Sequence, residues 1–440
     1  MTVLQSFPNG VHPGENKERT EHQRLERMPF VDRYLIPVGQ HIGAPAKPIV
    51  QSGQRVERGE LIAEPGGFVS TAYHSPVTGK VLDVGQRRHP NGNFVPSIEI
   101  EADAYATQRV EARAPTTVED LSSKEFVSHV QRSGMVGLGG AAFPSHVKYA
   151  VPEGKAVDRF VLNGCECEPF LTCDHRVMVE YADAVIRGTE IVAHQLGAKA
   201  SDIGVEANKM DAVKALGSAA TGRPISVHPL KVKYPQGAEK MLIRSVFGVE
   251  VPAGKLPLDV GMIVNNTHTM TAIADYFDRG IPLIERVVTV SGPGVRKPSN
   301  LITPIGTPIR EVLEQCGGLD ENTREVIMGG PMMGFTVATI DAPILKGTSG
   351  ILAFTEKESA WPEEYTCIKC ARCLEACPLF LNPSRLGKLS RAMRHEEAGE
   401  YHAMDCMECG ACSYACPSSI PLVQLIRISK QTLREQKAQK

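Results

Sequence analysis

The chain has 440 residues, 42% of them hydrophobic and 22% charged, with a formal net charge of -2. That length allows about two to four domains, and a charge so near neutral gives no sign of the strongly basic face of a nucleic-acid binder, so no nucleic-acid partner is expected. No apolar run reaches the roughly 18 residues that a membrane span needs, and Met1 to Arg27 is polar, so neither a transmembrane helix nor a signal peptide is expected.

Residues 28–105 read as β-rich. A strand-like run, Arg33 to Val38, is followed by turn signals at Ser52-Gly53, Pro65-Gly66-Gly67 and Pro90-Asn91-Gly92. Val56 to Glu64, then Ser75 to Val84, resemble the two halves of a lipoyl-type barrel-sandwich hybrid. The segment between them, Phe68 to His74, has no lysine, so a structural β-module without a carrier arm is expected.

Composition changes near Pro115, and residues 122–280 alternate strand and helix patterns, as in an α/β domain. Phe160-Val161-Leu162 reads as a buried strand and Met178 to Leu196 as a helix with apolar Val179, Ala182, Val185, Ile186 and Ile191. Ile203 to Ala207 reads as a strand, and Lys209 to Ala219 as a helix.

Three polar segments punctuate this domain. The first is Gly134 to Pro144, with Lys148 beyond it. It has neither the Rossmann spacing nor the Walker Gly-Lys-Ser/Thr, but closely spaced glycines before a helix let backbone N–H groups approach a phosphate. The second, Asn163 to Pro169, directly follows a strand, where α/β domains bind ligands. Glu166 and Glu168 there read either as solvated loop charges or as acceptors for ribose or nicotinamide groups. The third is Asn265-Asn266-Thr267-His268-Thr269. Cys165, Cys167 and Cys173 read as free thiols, and His146, His175 and His268 as hydrogen-bonded scaffold.

Residues 284–337, with a strand at Arg286 to Gly292 and a helix at Thr307 to Cys316, read as a small β-grasp module, with Cys316 in its core. Residues 360–420 hold eight of the 12 cysteines. Cys367-x2-Cys370-x2-Cys373-x3-Cys377-Pro378 recurs 39 positions later as Cys406-x2-Cys409-x2-Cys412-x3-Cys416-Pro417. This is the bacterial two-cluster ferredoxin run, in which the fourth cysteine of each run serves the other cluster. It assigns Cys367, Cys370, Cys373 and Cys416 to one [4Fe–4S] cluster, and Cys406, Cys409, Cys412 and Cys377 to the second. Zinc sites use paired C-x2-C units and do not fit. The stretch Pro383 to Glu397 looks helical, giving a helical ferredoxin-type domain. Residues 421–440 read as a basic amphipathic helix that either meets a partner or lipid or is solvated.

The Gly-rich loop, the Asn-x-x-Glu-x-Glu-Pro segment and the Asn-Asn segment, in that order, resemble the FMN- and NADH-binding subunit of respiratory complex I. Ala142 replaces the last glycine of that family's first motif, and Cys165 stands where it has Asp, a departure at one flavin-ribityl contact. The module order, with Phe7 to Pro13 and Gln40 to Ala46, resembles the RnfC family of the Rnf ion-translocating oxidoreductases over nearly the whole chain. The resemblance implies a peripheral subunit on the cytoplasmic side of the cell inner membrane. Its implied partners are the other subunits of a membrane complex, ferredoxin or a ferredoxin-like subunit, and NAD(H). Gly137, Gly139, Gly140, Lys148, Asn163, Asn265 and Asn266 would hold FMN, with Glu166 and Glu168 beside it where NADH stacks. Tyr234 to Lys240 falls where the complex I family has a nucleotide loop. A soluble flavin/iron–sulfur reductase of the corrin-reductase kind and a cluster-only electron relay are the competing readings.

Overall fold

In the computed structural model, which describes residues 4–111, 116–360 and 362–438, four units follow one another. The first is a sandwich of two small antiparallel sheets. One orders Arg33–Pro37, Phe94–Ala102, Gly79–Arg88 and Arg55–Val56; the other orders Lys47–Pro48, Leu61–Glu64 and Tyr73–His74. Strand alternation turns Tyr34, Ile36, Val81, Ile98 and Ile100 inward. The lysine-free segment 68–74 is docked on the next unit. Gln131 Nε2 donates to the carbonyls of Gly67, Phe68 and Ser70 at 3.0, 3.2 and 3.1 Å.

The second unit carries a four-stranded parallel sheet, ordered Ile225–Leu230, Ala200–Glu206, Arg159–Gly164, Met262–Asn266. The chain builds leftward from Arg159–Gly164 and then crosses to its right for Met262–Asn266. The ends of these two neighbours, where Asn163 pairs in register with Asn266, therefore form a topological switch point. The expected helix from Met178 to Leu196 is two helices, Cys173–Glu180 and Ala182–Leu196. They break at Tyr181, whose backbone sits at φ -125°, ψ 33°. Gly188 lets the second helix close on Thr267–Arg279: a Cβ there would lie 2.0 Å from the Met270 carbonyl oxygen.

The third unit is a mixed sheet around Glu285–Ser291. It pairs with Ser299–Pro304 and Gly350–Thr355, and the short N-terminal strand Leu25–Arg27 adds to its edge. The helix Ile309–Gln315 covers it, with Cys316 buried in the core. Buried Lys346 ties three units together, its Nζ donating to Ala72 O at 2.7 Å and Gly134 O at 2.8 Å.

The fourth unit is short helices around two cysteine runs. The expected helix across 383–397 ends at Arg391 and restarts at His395, because Met393 takes a left-handed φ of 57°. The C-terminal helix Leu422–Ala438 buries Leu422, Val423 and Ile426 against this unit. It is thus neither a free tail nor fully solvated: Lys430 Nζ reaches the Cys406 carbonyl at 2.5 Å.

Candidate functional site

A cavity of about 520 Å³ opens at the switch point. Of the residues the sequence nominated, Gly137, Gly139, Lys148, Asn163, Glu166, Glu168, Asn265 and Asn266 line it. Gly140 does not; its chain turns away at a φ of +102°. The Gly-rich loop is shaped from within, with Gly137 N–H bonded to Phe143 O at 2.8 Å. It is held from outside by Thr269 Oγ1, which accepts from Leu138 N–H at 3.0 Å, and by Arg286, whose Nη2 donates to Leu138 O at 2.5 Å.

The polar groups divide by the freedom left to them. Lys148 Nζ donates to Val264 O at 2.9 Å and pairs with Glu239. Asn163 Nδ2 donates to Gly237 O at 2.6 Å, and Asn265 Nδ2 donates to the Tyr149 hydroxyl. Glu166 is occupied. It accepts from Asp174 N–H at 2.8 Å, from His175 N–H at 3.2 Å and from Cys173 Sγ at 3.3 Å, so it caps the helix Cys173–Glu180. Glu168 is freer. Its Oε2 accepts from Met332 N–H at 3.0 Å, while Oε1 has no partner among the described residues. Burial pushes Glu168 up to about 7, against the pull of the Met332 and Met333 amides and the Lys17 charge.

Sequence reasoning missed the elements that hold this loop. Lys17, buried in the N-terminal segment, donates from Nζ to Glu166 O and Glu168 O, both at 2.9 Å, and to Leu171 O. Nothing local distinguishes it from the other basic residues around it. Asp174 was also missed. It lines the cavity and accepts from Asn266 Nδ2 at 2.6 Å. Cys165 stays a buried thiol, its Sγ turned to Gly204 O at 3.5 Å; burial pushes Cys165, Cys167 and Cys173 all well up.

The eight cysteines of the fourth unit surround two spaces. Cys367, Cys370, Cys373 and Cys416 line a cavity of about 610 Å³, and Cys377, Cys406, Cys409 and Cys412 line a small internal one. The two runs share an unusual backbone. Left-handed φ values recur at matched positions: Lys369 and Glu408 (58° and 60°), Ala371 and Gly410 (62° and 78°), Phe380 and Ser419 (56° and 51°). Such angles are costly for most residues and turn successive N–H groups toward one point, where they bond anionic sulfur. Glu408 N–H already bonds Cys406 Sγ at 3.4 Å. Repeated thiolate quartets in this backbone fit two iron–sulfur cubanes. Cys409 lines both the internal space and the 520 Å³ cavity, while Cys370 is exposed at the far quartet.

A switch-point cavity with glycine, lysine and amide groups, abutting a double four-cysteine unit, defines a flavin and iron–sulfur electron-transfer protein. Family models match along the chain: the RnfC barrel sandwich hybrid domain at residues 5–105, the Nuo51 FMN-binding domain at 130–275, the SLBB domain at 287–336 and the 4Fe-4S dicluster domain at 366–420. The chain is 46% identical over 429 residues to the RnfC-type subunit of the proton-translocating ferredoxin:NAD(+) oxidoreductase complex of Clostridium ljungdahlii, covering 97% of this chain and 94% of that one. It is 42% identical over 429 residues to the corresponding subunit of the Na(+)-translocating ferredoxin:NAD(+) oxidoreductase complex of Acetobacterium woodii, covering 97% of each. A chain of NAD+-reducing [NiFe]-hydrogenase in the air-oxidized state shares the fold at a TM-score of 0.50 and 19% identity, over 73% of this chain and 63% of that one. The chain belongs to the RnfC family of the Rnf ion-translocating oxidoreductase complexes. It carries that family's FMN-binding and 4Fe-4S dicluster domains. These findings support the complex-subunit reading over both competing ones. No helix among the described residues is long and apolar enough to cross a membrane.

Proposed function

We propose that this chain passes electrons between NAD(H), one FMN and two [4Fe–4S] clusters, as the peripheral subunit of a membrane-bound ion-translocating ferredoxin:NAD+ oxidoreductase complex. It attaches on the cytoplasmic side of the cell inner membrane and exchanges electrons with ferredoxin or a ferredoxin-like subunit. The observation that carries this reading is the double position of Cys409, on the wall of the 520 Å³ cavity and on the wall of a cysteine quartet.

Bound FMN supplies the exchange between a two-electron hydride and single electrons. Lys148 offers the cationic amine for its phosphate, and the Gly137–Gly139 backbone offers N–H groups in the same wall. The amides of Asn163, Asn265 and Asn266 orient its polar edge. Glu168, with one free oxygen, is the better placed of the two glutamates to accept from nicotinamide or ribose. Glu166 acts through the loop it braces. The quartet Cys377, Cys406, Cys409 and Cys412 holds the cluster next to the flavin, and Cys367, Cys370, Cys373 and Cys416 hold the outer one, where Ile368 and Tyr365 are exposed beside Cys370 for a partner.

Anaerobic reconstitution tests this reading. About eight irons and one FMN per chain are expected, with NADH bleaching both chromophores. Eight irons without flavin or NADH response would leave only a cluster relay.

A further inference from the structure

A buried polar junction joins the flavin cavity to a second cavity behind it. Asp174 lines the first. His268 and Arg286 line the second, a space of about 280 Å³ between the helix Thr267–Arg279 and the strand Glu285–Ser291. Asp174 Oδ1, His268 Nδ1 and Arg286 Nη1 each have no hydrogen-bond partner among the described residues. The three residues are only 8%, 6% and 1% exposed. Buried polar atoms are nearly always paired, so three orphans at one junction mark a place for ordered water. Asn266 ties the junction together: its Nδ2 donates to Asp174 Oδ2 at 2.6 Å, and its Oδ1 accepts from His268 N–H at 2.9 Å.

The chemistry read above requires a proton at this wall. A hydride from NADH brings two electrons and its own proton. Two electrons from the clusters bring none, so one proton must join them for each hydride handed to NAD+. In the reverse direction one proton must leave for each pair of electrons sent to the clusters. We propose that Asp174, relayed by water that His268 and Arg286 hold, is the proton donor and acceptor for the flavin cavity, with the 280 Å³ cavity as its inlet. The inference rests on the flavin reading. Asp174 releases its proton into the flavin cavity as the electron pair arrives and regains one through water bonded to His268 Nδ1, so no residue changes net state over the cycle.

The electrostatics suit this role. Burial and then the Glu166 charge push Asp174 well above the usual carboxylate range; Arg286, the Asn266 hydrogen bond and Lys17 pull the other way. Burial and the Arg286 charge keep His268 well below the usual imidazole range. It is therefore neutral, with one ring nitrogen to donate and one to accept.

Anaerobic stopped-flow mixing of the flavin- and cluster-loaded chain with NADH separates two phases: flavin bleaching by hydride, then cluster bleaching with proton release. Asp174→Asn keeps the shape but cannot carry the proton. It should slow the second phase by roughly tenfold or more, with a much smaller effect on the first, and abolish the solvent deuterium effect on the second. In the cofactor-free chain, infrared spectroscopy should show a carboxylic C=O band titrating near neutral pH that Asp174→Asn lacks. His268→Gln should slow the second phase and keep that band. Equal slowing of both phases, an unchanged second phase or an absent band overturns the relay. Failure of NADH to bleach the wild-type flavin would instead overturn the flavin reading, and the relay with it.

Discussion

The phenol oxygen of Tyr234 donates a 2.7 Å hydrogen bond to the carbonyl oxygen of Cys409. Tyr234 lines the 520 Å³ cavity and is 1% exposed; Cys409 belongs to the neighbouring quartet. One bond thus fixes the spacing between the flavin wall and the nearer cluster. Tyr234→Phe should cost about 1 kcal/mol of stability and slow electron passage from flavin to cluster. Urea unfolding reads the first effect and the cluster-bleaching phase after NADH addition reads the second.

The N-terminal segment braces the same contact. Val11 and Tyr234 exchange backbone hydrogen bonds of 2.9 Å, and Asn9 Nδ2 donates to Cys377 O at 3.0 Å. Gly10 makes the crossing possible: at its φ of +84°, a Cβ would lie 2.6 Å from Tyr234 O. Gly10→Ala should destabilise by roughly 1–3 kcal/mol and expose the inner cluster to oxygen. Thermal unfolding and the rate of cluster loss in air measure both.

Lys17→Met keeps the length of the side chain and removes the donors to the carbonyls of Glu166, Glu168 and Leu171. Leaving these buried acceptors unpaired should cost on the order of 2–4 kcal/mol. Flavin retention on gel filtration should fall, while iron content stays near eight per chain.

Glu168 makes stability depend on pH in the flavin-free chain. Its folded value, about 7, lies above the unfolded value of 4.5. The folded chain therefore binds the extra proton, and this contribution is fully present below 4.5 and lost as pH rises through about 7. Stability should fall over that window by on the order of 2 kcal/mol. Glu168→Gln should flatten the fall, as urea midpoints at several pH values would show.

The cysteine quartets were legible because their spacing is local: three thiols wrap one cube within seven residues. The loops were legible because each follows a buried strand, and switch-point geometry gathers such ends. Lys17, Asp174 and Tyr234 were not assigned, because each acts through a fold contact with a distant segment; Asn9 to Cys377 spans 368 positions. Helix breaks at Tyr181 and Met393 were hidden for the opposite reason: apolar periodicity continues across them while the backbone turns. The C-terminal helix read as either exposed or partnered, and only its packing on Leu386 and Leu389 decides that its partner is its own chain.

The central claim is the order of centres: flavin, then the Cys409 quartet, then the Cys370 quartet. Its most direct test is NADH reduction of two reconstituted variants, followed by the paramagnetic signals of reduced clusters. Cys370→Ala should lose the outer cluster and keep an inner one that NADH reduces at the wild-type rate. Cys409→Ala should leave an outer cluster that NADH no longer reduces within the wild-type time course. Rapid reduction of the outer cluster in Cys409→Ala, or an unreduced inner cluster in Cys370→Ala, would contradict the order.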